Sequence, residues 1–342
     1  PATPLLFDLD RFTLSTQVDA SAAGATTFGF TVGRTNFRDT TGYVLNHTLD
    51  GLKLEVDGAR NSFRFGIGTT ALIQKPTNQI VLGTLDILDL ADPAVRFGPR
   101  RLIAEVEYRL IEALGSQSIA LGATAQEDLR PEADLTPVGQ TTFDPAAGGR
   151  VETQYVTLKL SGALAPTLFQ TTYYTFNSGR VLAYVDDPSS GTGSSYQYET
   201  LLAHMAGLEL TWFLPEALNS RARLFGQFTT GATDWSDTFV PISPSSYSDV
   251  YSLQSGNSAH VGVSYSLRPL ARTGADVLQT ELATVAYFET AGVGYVGTDI
   301  NLDVIAVPLS DVRLVLKNGL FVPSVESENV KYQVTLQGVL RF

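Results

Sequence analysis

Charged side chains stand at every second position in several short segments of the chain. Glu105, Glu107 and Arg109 follow this spacing, as do Arg221 and Arg223. Side chains two residues apart lie on the same face of an extended chain, so each group presents its charges together. Rings of charged side chains around a wet space are a known basis of ion selectivity. The chemistry that this spacing favours is therefore electrostatic, at a surface in contact with water.

The same segments carry apolar residues on the opposite face. If that apolar face meets lipid, turning a charge toward it costs roughly 2–4 kcal/mol at the membrane midplane, which a wet interior avoids. The basic residues that we predict on the polar face are Lys53, Arg64, Arg101, Arg109, Lys159, Arg221, Arg223, Arg313, Lys317, Lys331 and Arg341. The acidic residues predicted there are Glu55, Asp57, Glu105, Glu107, Glu209, Glu281 and Asp303.

A second chemistry to consider is hydrolysis by a serine and a histidine. His204 and His260 lie on separate predicted strands, and Ser264 follows His260 by four residues. A serine hydrolase needs the histidine beside the serine and oriented by an acid. Residues 262–266 read GVSYS and lack the second glycine of a nucleophile elbow. The pattern favours a polar histidine in the interior over a catalytic one.

The elements that would position these residues are strands. Residues 331–342 read KYQVTLQGVLRF, in which apolar and polar residues alternate as in a strand with two unlike faces. The same alternation predicts fifteen strands in all. The first five include residues 12–18, 28–32, 52–57, 63–69 and 102–110, and the others span 116–127, 150–161, 166–178, 198–213, 219–230, 257–268, 276–289, 298–307, 311–322 and 329–342.

Composition narrows the class of protein. Of 342 residues, 44% are hydrophobic but only 17% are charged, below the share typical of soluble domains. We find no apolar run that approaches the roughly 20 residues of a membrane helix. The chain has no cysteine, so disulfides and thiolate metal sites are excluded, and a net charge of −12 argues against a nucleic-acid partner. An acidic soluble β protein remains the plain alternative at this step.

The connections between the predicted strands alternate in length. Short ones are predicted at 20–25, 58–61, 112–116, 162–166, 214–219, 269–275 and 308–310, and longer ones at 36–49, 73–99, 128–149, 179–197, 231–256, 290–297 and 323–328. Short turns at one end and long loops at the other are typical of a bacterial transmembrane barrel. A closed barrel also leaves no unpaired backbone edge in hydrocarbon. We therefore predict an all-β, antiparallel transmembrane β-barrel that forms one domain over residues 1–342.

The C-terminus resembles that of outer-membrane proteins of diderm bacteria, whose last strand ends in phenylalanine. Phe342 matches that position, and the resemblance implies that it is an assembly signal. Residues 32–56 are similar to a porin strand–loop–strand unit through Gly33, Arg34, Asp50 and Gly51. The chain as a whole resembles 16-stranded general or substrate-selective porins. That resemblance implies a location in the outer membrane among its lipids, and a homotrimer.

Strand parity and the resemblance together predict further features. With the last strand ending in the periplasm, the first predicted strand also runs downward and so begins outside, whereas bacterial barrels usually have an even number of strands with both ends in the periplasm. Either residues 1–10 contain a further strand or one strand lies before Pro1; we expect about sixteen strands, with the first before Pro1. Loop 73–99 then takes the place of the porin constriction loop, with Lys75, Asp86, Asp89, Asp92 and Arg96 as its charged residues. The apolar run 80–88 could instead be an additional strand.

These observations predict a water-filled channel for passive diffusion of small hydrophilic solutes and ions. Two alternatives remain open: a barrel enzyme of the lipase or protease type, and an anchor or adhesin with a plugged lumen. We expect no cofactor, metal or nucleic-acid partner. Selectivity is predicted to be weak with an anionic lean set by Arg64, Arg101, Arg109, Arg221, Arg223, Arg313 and Lys317, because the acids of loop 73–99 bring the interior near balance.

Overall fold

The computed structural model describes most of the chain as one antiparallel sheet of fifteen strands. The described residues are 11–20, 26–75, 77–81, 86, 92–130, 151–186, 188, 194–233, 237–244, 250–251, 256–270, 277–292, 294–325 and 329–340. The strands are β1 Phe12–Asp19, β2 Thr27–Arg38, β3 Asn46–Asp57, β4 Asn61–Thr69, β5 Arg101–Leu114, β6 Gln117–Asp128, β7 Glu152–Ala165, β8 Leu168–Asp186, β9 Ser194–Leu214, β10 Ser220–Thr229, β11 Ser258–Leu267, β12 Leu278–Glu289, β13 Gly294–Leu309, β14 Val312–Pro323 and β15 Lys331–Leu340.

Each strand pairs with its neighbours in sequence, from β1 to β15 in order. The prediction of an all-β antiparallel architecture is confirmed, and the fifteen predicted strands correspond to fifteen observed ones. Over the described residues, β1 pairs only with β2 and β15 only with β14, so the sheet is not closed by a β1–β15 ladder. In the same part of the chain, no helix is long and apolar enough to cross a membrane.

The register gives the sheet two unlike faces. Leu54 lies opposite Phe30 and Phe65, whereas Lys53 lies opposite Thr31 and Gly66. Because pairing keeps directly opposite residues on the same side, the apolar set and the charged set each continue across the sheet. The apolar side, which we call the outer face, carries most of the large exposed hydrophobic side chains. The other side, the inner face, carries Lys53 and the charged residues that continue from it across the sheet.

The connections define two ends of the sheet. The end reached by 58–60, 115–116, 166–167, 215–219 and 310–311 is the turn end. The opposite end is the loop end, where the three longest connections lie: 70–100, 129–151 and 230–257. The predicted sorting of turns and loops therefore holds for these long connections. It fails for 290–293, which is a tight connection at the loop end.

Strands β8 and β9 differ most from the prediction. The weakly alternating segments 166–178 and 198–213 belong to the two longest strands, and most of the predicted loop 179–197 is paired strand. Beyond Arg180, β8 has no partner on its β7 side among the described pairs. Residues beyond Arg180 therefore need no alternation that matches a β7 neighbour, which is why this stretch was predicted as a loop and not as strand.

The inner face encloses a hydrophobic core at the loop end. Buried side chains of β2, β3, β5, β7, β8 and β9 meet buried residues of three connections. These residues are Phe37, Val44, Leu45, Leu49, Ile73, Ile80, Ile103, Tyr155, Tyr173, Leu201, Ala203, Met205, Phe239 and Ile242. Since strands distant in the sheet share this core with one set of loops, the sheet curls around it.

The porin-like unit at residues 32–56 has a direct structural basis. Gly33 pairs with Gly51 and Arg34 pairs with Asp50 across β2 and β3. The Arg34 guanidinium binds the Asp50 carboxylate in a bidentate pair, with Nε–Oδ1 at 2.8 Å and Nη2–Oδ2 at 2.9 Å. A Cβ at Gly33 would lie 2.2 Å from the carbonyl oxygen of Phe12, and Gly33 has a φ of 119°, so glycine is required there.

Candidate pore lining

The structure places every described residue of the predicted charged lining on the inner face. Register connects them directly: Glu55 lies opposite Arg64, and Arg64 lies opposite Glu107. Asp303 likewise lies opposite Lys317. Arg341 lies outside the described residues. That the inner-face residues line an open pore stays a prediction, but their common side is what such a lining requires.

On one wall, β4 and β5 form a chain of ion pairs. Arg64 Nη2 lies 3.3 Å from Glu107 Oε2 and its Nε lies 3.8 Å from Glu105 Oε1. Arg109 Nη2 lies 2.8 Å from Glu107 Oε1. The Arg109 side chain is 42% exposed, so its pair is open to solvent, whereas both glutamates are buried. This wall therefore offers mainly its arginines to the interior space.

The opposite wall repeats the arrangement near the turn end. Arg221 Nη2 lies 3.1 Å from Glu281 Oε2, and Arg223 Nη2 lies 3.0 Å from Glu209 Oε2. All four side chains are between a quarter and a third exposed. Such pairs are screened by water and hold local charge without contributing much stability. They form a mixed lining in which each cation is matched by an acid.

Arg101 has a different environment from the other predicted basic residues. Its guanidinium lies 2.5 Å from Asp86 and 3.2 Å from Asp128, and it donates to the carbonyl oxygen of Val151 at 3.2 Å. Arg130 completes the group, at 2.8 Å from Asp86 and 2.6 Å from Asp128. All four residues are buried, so we call them the buried ion network. The charge of Arg101 is enclosed there, and Arg101 does not reach a passing solute.

The predicted constriction loop 73–99 folds inward only in part. Ile73, Ile80 and Asp86 are buried, and Asp86 is the residue through which the loop joins the buried ion network. Its other charges lie elsewhere: Asp92 and Arg96 are exposed. The Lys75 ammonium donates to the carbonyl oxygen of Asp92 at 2.7 Å. Asp89 and most of the apolar run 80–88 lie outside the described residues.

Asp86 therefore forms direct ion pairs instead of facing the basic lining across open space. Asp86 accepts from two buried arginines, so it leaves no acid of this loop facing the wall at that point. The sequence did not predict this pairing, because spacing along the chain does not show that Asp86 and Arg101 are both buried. For Asp92, exposure places its charge toward solvent.

Sequence reasoning missed a second connection that enters the interior. Residues 39–45, the β2–β3 loop, were expected to be part of an external loop, yet Asp39, Thr40, Val44 and Leu45 are buried. Lys159 donates from Nζ to the carbonyl oxygen of Thr40 at 3.0 Å. Lys53 lies over the Phe37 ring at 4.6 Å and donates to the carbonyl oxygen of Asn36. Two predicted lining lysines thus bind at or beside this loop.

The remaining predicted residues lie at the far edge of the sheet. Arg313 and Lys331 are exposed on the inner face. The Lys331 ammonium lies 5.7 Å from the centre of the Tyr251 ring and 5.9 Å from that of Phe321, which stacks on Tyr251 at 4.2 Å. Phe342, the predicted assembly signal, lies outside the described residues.

The histidines differ from a hydrolase arrangement. His204 lies on the outer face, where its Nδ1 is 2.6 Å from the Tyr174 hydroxyl and its ring lies against Phe176, so the expectation of an interior position was wrong for it. His260 does lie on the inner face, between the rings of Phe225 and Tyr287. Over the described residues, no group of three or more His, Asp or Glu residues could hold a metal ion.

Comparison with solved structures identifies the fold. The chain is similar to OccK3 (OpdO) of Pseudomonas aeruginosa, with a TM-score of 0.55 and 12% identity over 92% of this chain and 78% of that one. It is also similar to OccK1 (OpdK) of the same species, with a TM-score of 0.52, 12% identity and coverage of 95% and 77%. The chain is similar as well to a BenF-like porin from Pseudomonas fluorescens Pf-5, with a TM-score of 0.51 and 13% identity over 92% of this chain and 74% of that one.

At these identities the likeness establishes the fold alone, which is that of an outer-membrane porin. The resemblance to porins seen in the sequence is confirmed at that level. No protein-family model and no curated protein matches the chain.

Proposed function

We propose that the protein forms a water-filled channel in a bacterial outer membrane, through which small hydrophilic solutes and ions diffuse passively. The observation that carries this is the division of the sheet into two faces. Its predicted charged residues share the inner face, while large hydrophobic side chains are exposed on the outer face. In water the exposed apolar belt would be a liability. Against outer-membrane lipids it is the expected surface of a barrel.

The chain acts as one domain in this proposal, with the loop end outside the cell and the turn end in the periplasm. Long external loops and short periplasmic turns are the rule for bacterial barrels. The lining consists of Lys53, Arg64, Arg109, Lys159, Arg221, Arg223, Arg313, Lys317 and Lys331, with Glu55, Glu105, Glu107, Glu281 and Asp303. Arg101 and Asp86 stabilise the wall instead of meeting the solute.

The ion selectivity of such a lining is weak, with a slight preference for anions. Glu105 and Glu107 are buried beneath their arginines, while Arg109 and Arg313 remain open to solvent. Charges close to a passing ion act strongly, while loop charges beyond about 8 Å are screened at physiological salt. Reversal potentials in a salt gradient test the sign, and a strong cation preference would contradict it.

The assembly is proposed to be a homotrimer, as the likeness to porins suggested. In this proposal β1 and β2 face a neighbouring subunit, because Thr16 is a small outward residue there and the outer face of β1 is open to contact. Phe342 is the assembly signal in this proposal. Crosslinking in native membranes that gives only monomers would contradict the trimer but leave the channel intact.

The channel is tested by conductance of the purified, folded protein in planar bilayers. Stepwise ion currents are expected, and folded protein that leaves the bilayer sealed would overturn the proposal. The likeness to porins favours a channel over a hydrolase at the rim. In addition, the described contacts of His204 include Tyr174 and Phe176 on the lipid side. A lack of ester or peptide hydrolysis by the purified protein in detergent micelles would agree with this choice.

A further inference from the structure

The β2–β3 loop begins and ends at the loop end, yet it reaches the middle of the opposite wall. Lys159 donates to the carbonyl oxygen of Thr40 at 3.0 Å, and the Tyr43 ring lies 5.5 Å from the ring of Tyr173. Lys159 lies at the centre of β7, and Tyr173 lies in the half of β8 nearer the turn end. The loop therefore crosses the interior from β2 and β3 to β7 and β8.

Asp39 holds the loop in this shape. Its Oδ1 accepts the backbone amides of Gly42 at 2.9 Å, Val44 at 3.1 Å and Leu45 at 2.9 Å. Its Oδ2 accepts the amide of Thr41 at 2.8 Å and the Thr41 hydroxyl at 2.6 Å. A carboxylate with this many donors fixes the path of the chain, because each bond to an ionised acceptor is stronger than a neutral one. Asp39 is buried, so water does not compete for these bonds.

The wall is shaped to receive the loop. Gly122 lies at the middle of β6, and a Cβ built there would be 2.0 Å from Thr40 Oγ1. Glycine at this inner-face position therefore gives room for Thr40. On its other side the loop is bound by the β10–β11 connection, since Ile242 and Ser243 both donate their amides to the Val44 carbonyl oxygen, at 2.8 and 3.1 Å.

The loop borders the open part of the interior. A cavity of about 170 Å³ lies between it and the inner face of β7–β11. Arg38 and Tyr43 line the cavity from the loop side, while Lys159, Tyr173 and Glu209 line it from the wall. The cavity is thus bounded by the loop on one side and by strands on the other.

We infer that the β2–β3 loop is the constriction that sets conductance and ion preference in this protein. Asp39 is its positioning residue, and Arg38 and Lys159 present charge to the solute at the narrowest point. This inference rests on the proposed channel function. It assigns the constriction to a different connection from loop 73–99, of which Asp86 is enclosed in the buried ion network.

Removal of the Asp39 carboxylate tests the inference. Because pore diameter controls passage, Asp39→Ala is expected to raise single-channel conductance in planar bilayers by about twofold and to reduce ion preference. Asp311→Ala is the matched control, since it deletes the same charge from an exposed aspartate in the 310–311 turn. Circular dichroism of each variant verifies that the β structure is retained.

A reversible crosslink separates loop release from general damage. The chain has no cysteine, so Thr40→Cys with Gly122→Cys can form only one intramolecular disulfide. The Cβ atoms would be 3.0 Å apart, so a shift of about half an ångström gives disulfide geometry. In the Asp39→Ala background, oxidation is expected to return the conductance to the native value and reduction to raise it again.

The outcomes distinguish this inference from the function on which it rests. If the native protein conducts, but folded Asp39→Ala conducts like it, the β2–β3 loop is not the constriction. The same conclusion follows if crosslinking leaves the raised conductance unaltered. If the native protein does not conduct, both the channel and its constriction are overturned.

Discussion

The two ends of the interior use the same strands in opposite ways. At the loop end, inner-face residues such as Phe37, Leu49 and Ile103 are fully buried by inserted loops. Toward the turn end, the inner face carries ion pairs that water reaches, among them Arg221 with Glu281. The comparison teaches that a period-two pattern fixes which side of the sheet a residue faces but not whether it meets solvent. Stability is concentrated at the loop end and ion chemistry toward the turn end.

The largest difference is expected between two arginines on the same face. Arg101→Ala leaves Asp86 and Asp128 with less compensation inside the buried ion network, which should destabilise folding by about 3–5 kcal/mol. Arg221→Ala, which breaks a pair between a quarter and a third exposed, should cost less than about 1 kcal/mol. Urea unfolding in detergent, followed by tryptophan fluorescence, measures both. If both variants lost the same free energy of unfolding, the ion pairs of the loop end would contribute no more stability than those of the turn end.

A similar contrast is expected for apolar residues. Leu49 is fully buried among the loops, so Leu49→Ala should cost about 2–5 kcal/mol through lost contacts and a cavity. Leu121 is 54% exposed on the outer face, and Leu121→Ala should cost markedly less. The same unfolding experiment compares them. A larger loss of unfolding free energy for Leu121→Ala than for Leu49→Ala would mean that the outer face contributes more to stability than the buried core.

The sequence predicted the side of each charged residue because alternation along a strand records it directly. Arg64, Glu107 and Lys317 all lie on the face assigned to them. The enclosure of Arg101 was not predictable in this way. It depends on Asp86 and Asp128, which precede and follow it on separate segments and meet only when β5, β6 and the connection 70–100 pack together.

The path of the β2–β3 loop was equally hidden. Asp39 binds amides of its own loop, which resembles any capped turn in sequence. The direction of the loop depends on Gly122 and Lys159, about eighty and one hundred and twenty residues further along the chain, and nothing in local pattern couples them. The interior position predicted for His204 was wrong because its Nδ1 forms a hydrogen bond with the Tyr174 hydroxyl, which gives the polar ring a partner on the outer face.

Ion preference should change when the solvent-reached arginines lose their charge. Arg221→Gln with Arg223→Gln leaves Glu281 and Glu209 unmatched, so the permeability ratio should move toward cations by roughly twofold. Reversal potentials in a potassium chloride gradient measure this, and Arg101→Met serves as the buried comparison, with little effect expected. A shift for Arg101→Met alone would show that the buried ion network faces the pore.

The smallest effect is expected at Lys331. Its ammonium lies over the rings of Tyr251 and Phe321 while remaining exposed, an interaction of about 0.5–1 kcal/mol. Lys331→Gln should therefore lower stability only slightly, by the same unfolding assay. Loss of folding in this variant would show that the β14–β15 edge depends on the contact far more than exposure suggests.

The β8–β9 hairpin has a consequence for what surrounds the cell. At 21 residues, β9 is about 50 Å tall when tilted as barrel strands are, roughly twice the height of the apolar band. Its pairing with β8 continues to Asp186 opposite Ser194, beyond the last described pair with β7. In the proposed orientation, with the loop end outside the cell, the hairpin stands above the lipid headgroups as a two-stranded ribbon. Antibodies, phage fibres and proteases approaching the bacterium would meet this ribbon before they met the barrel.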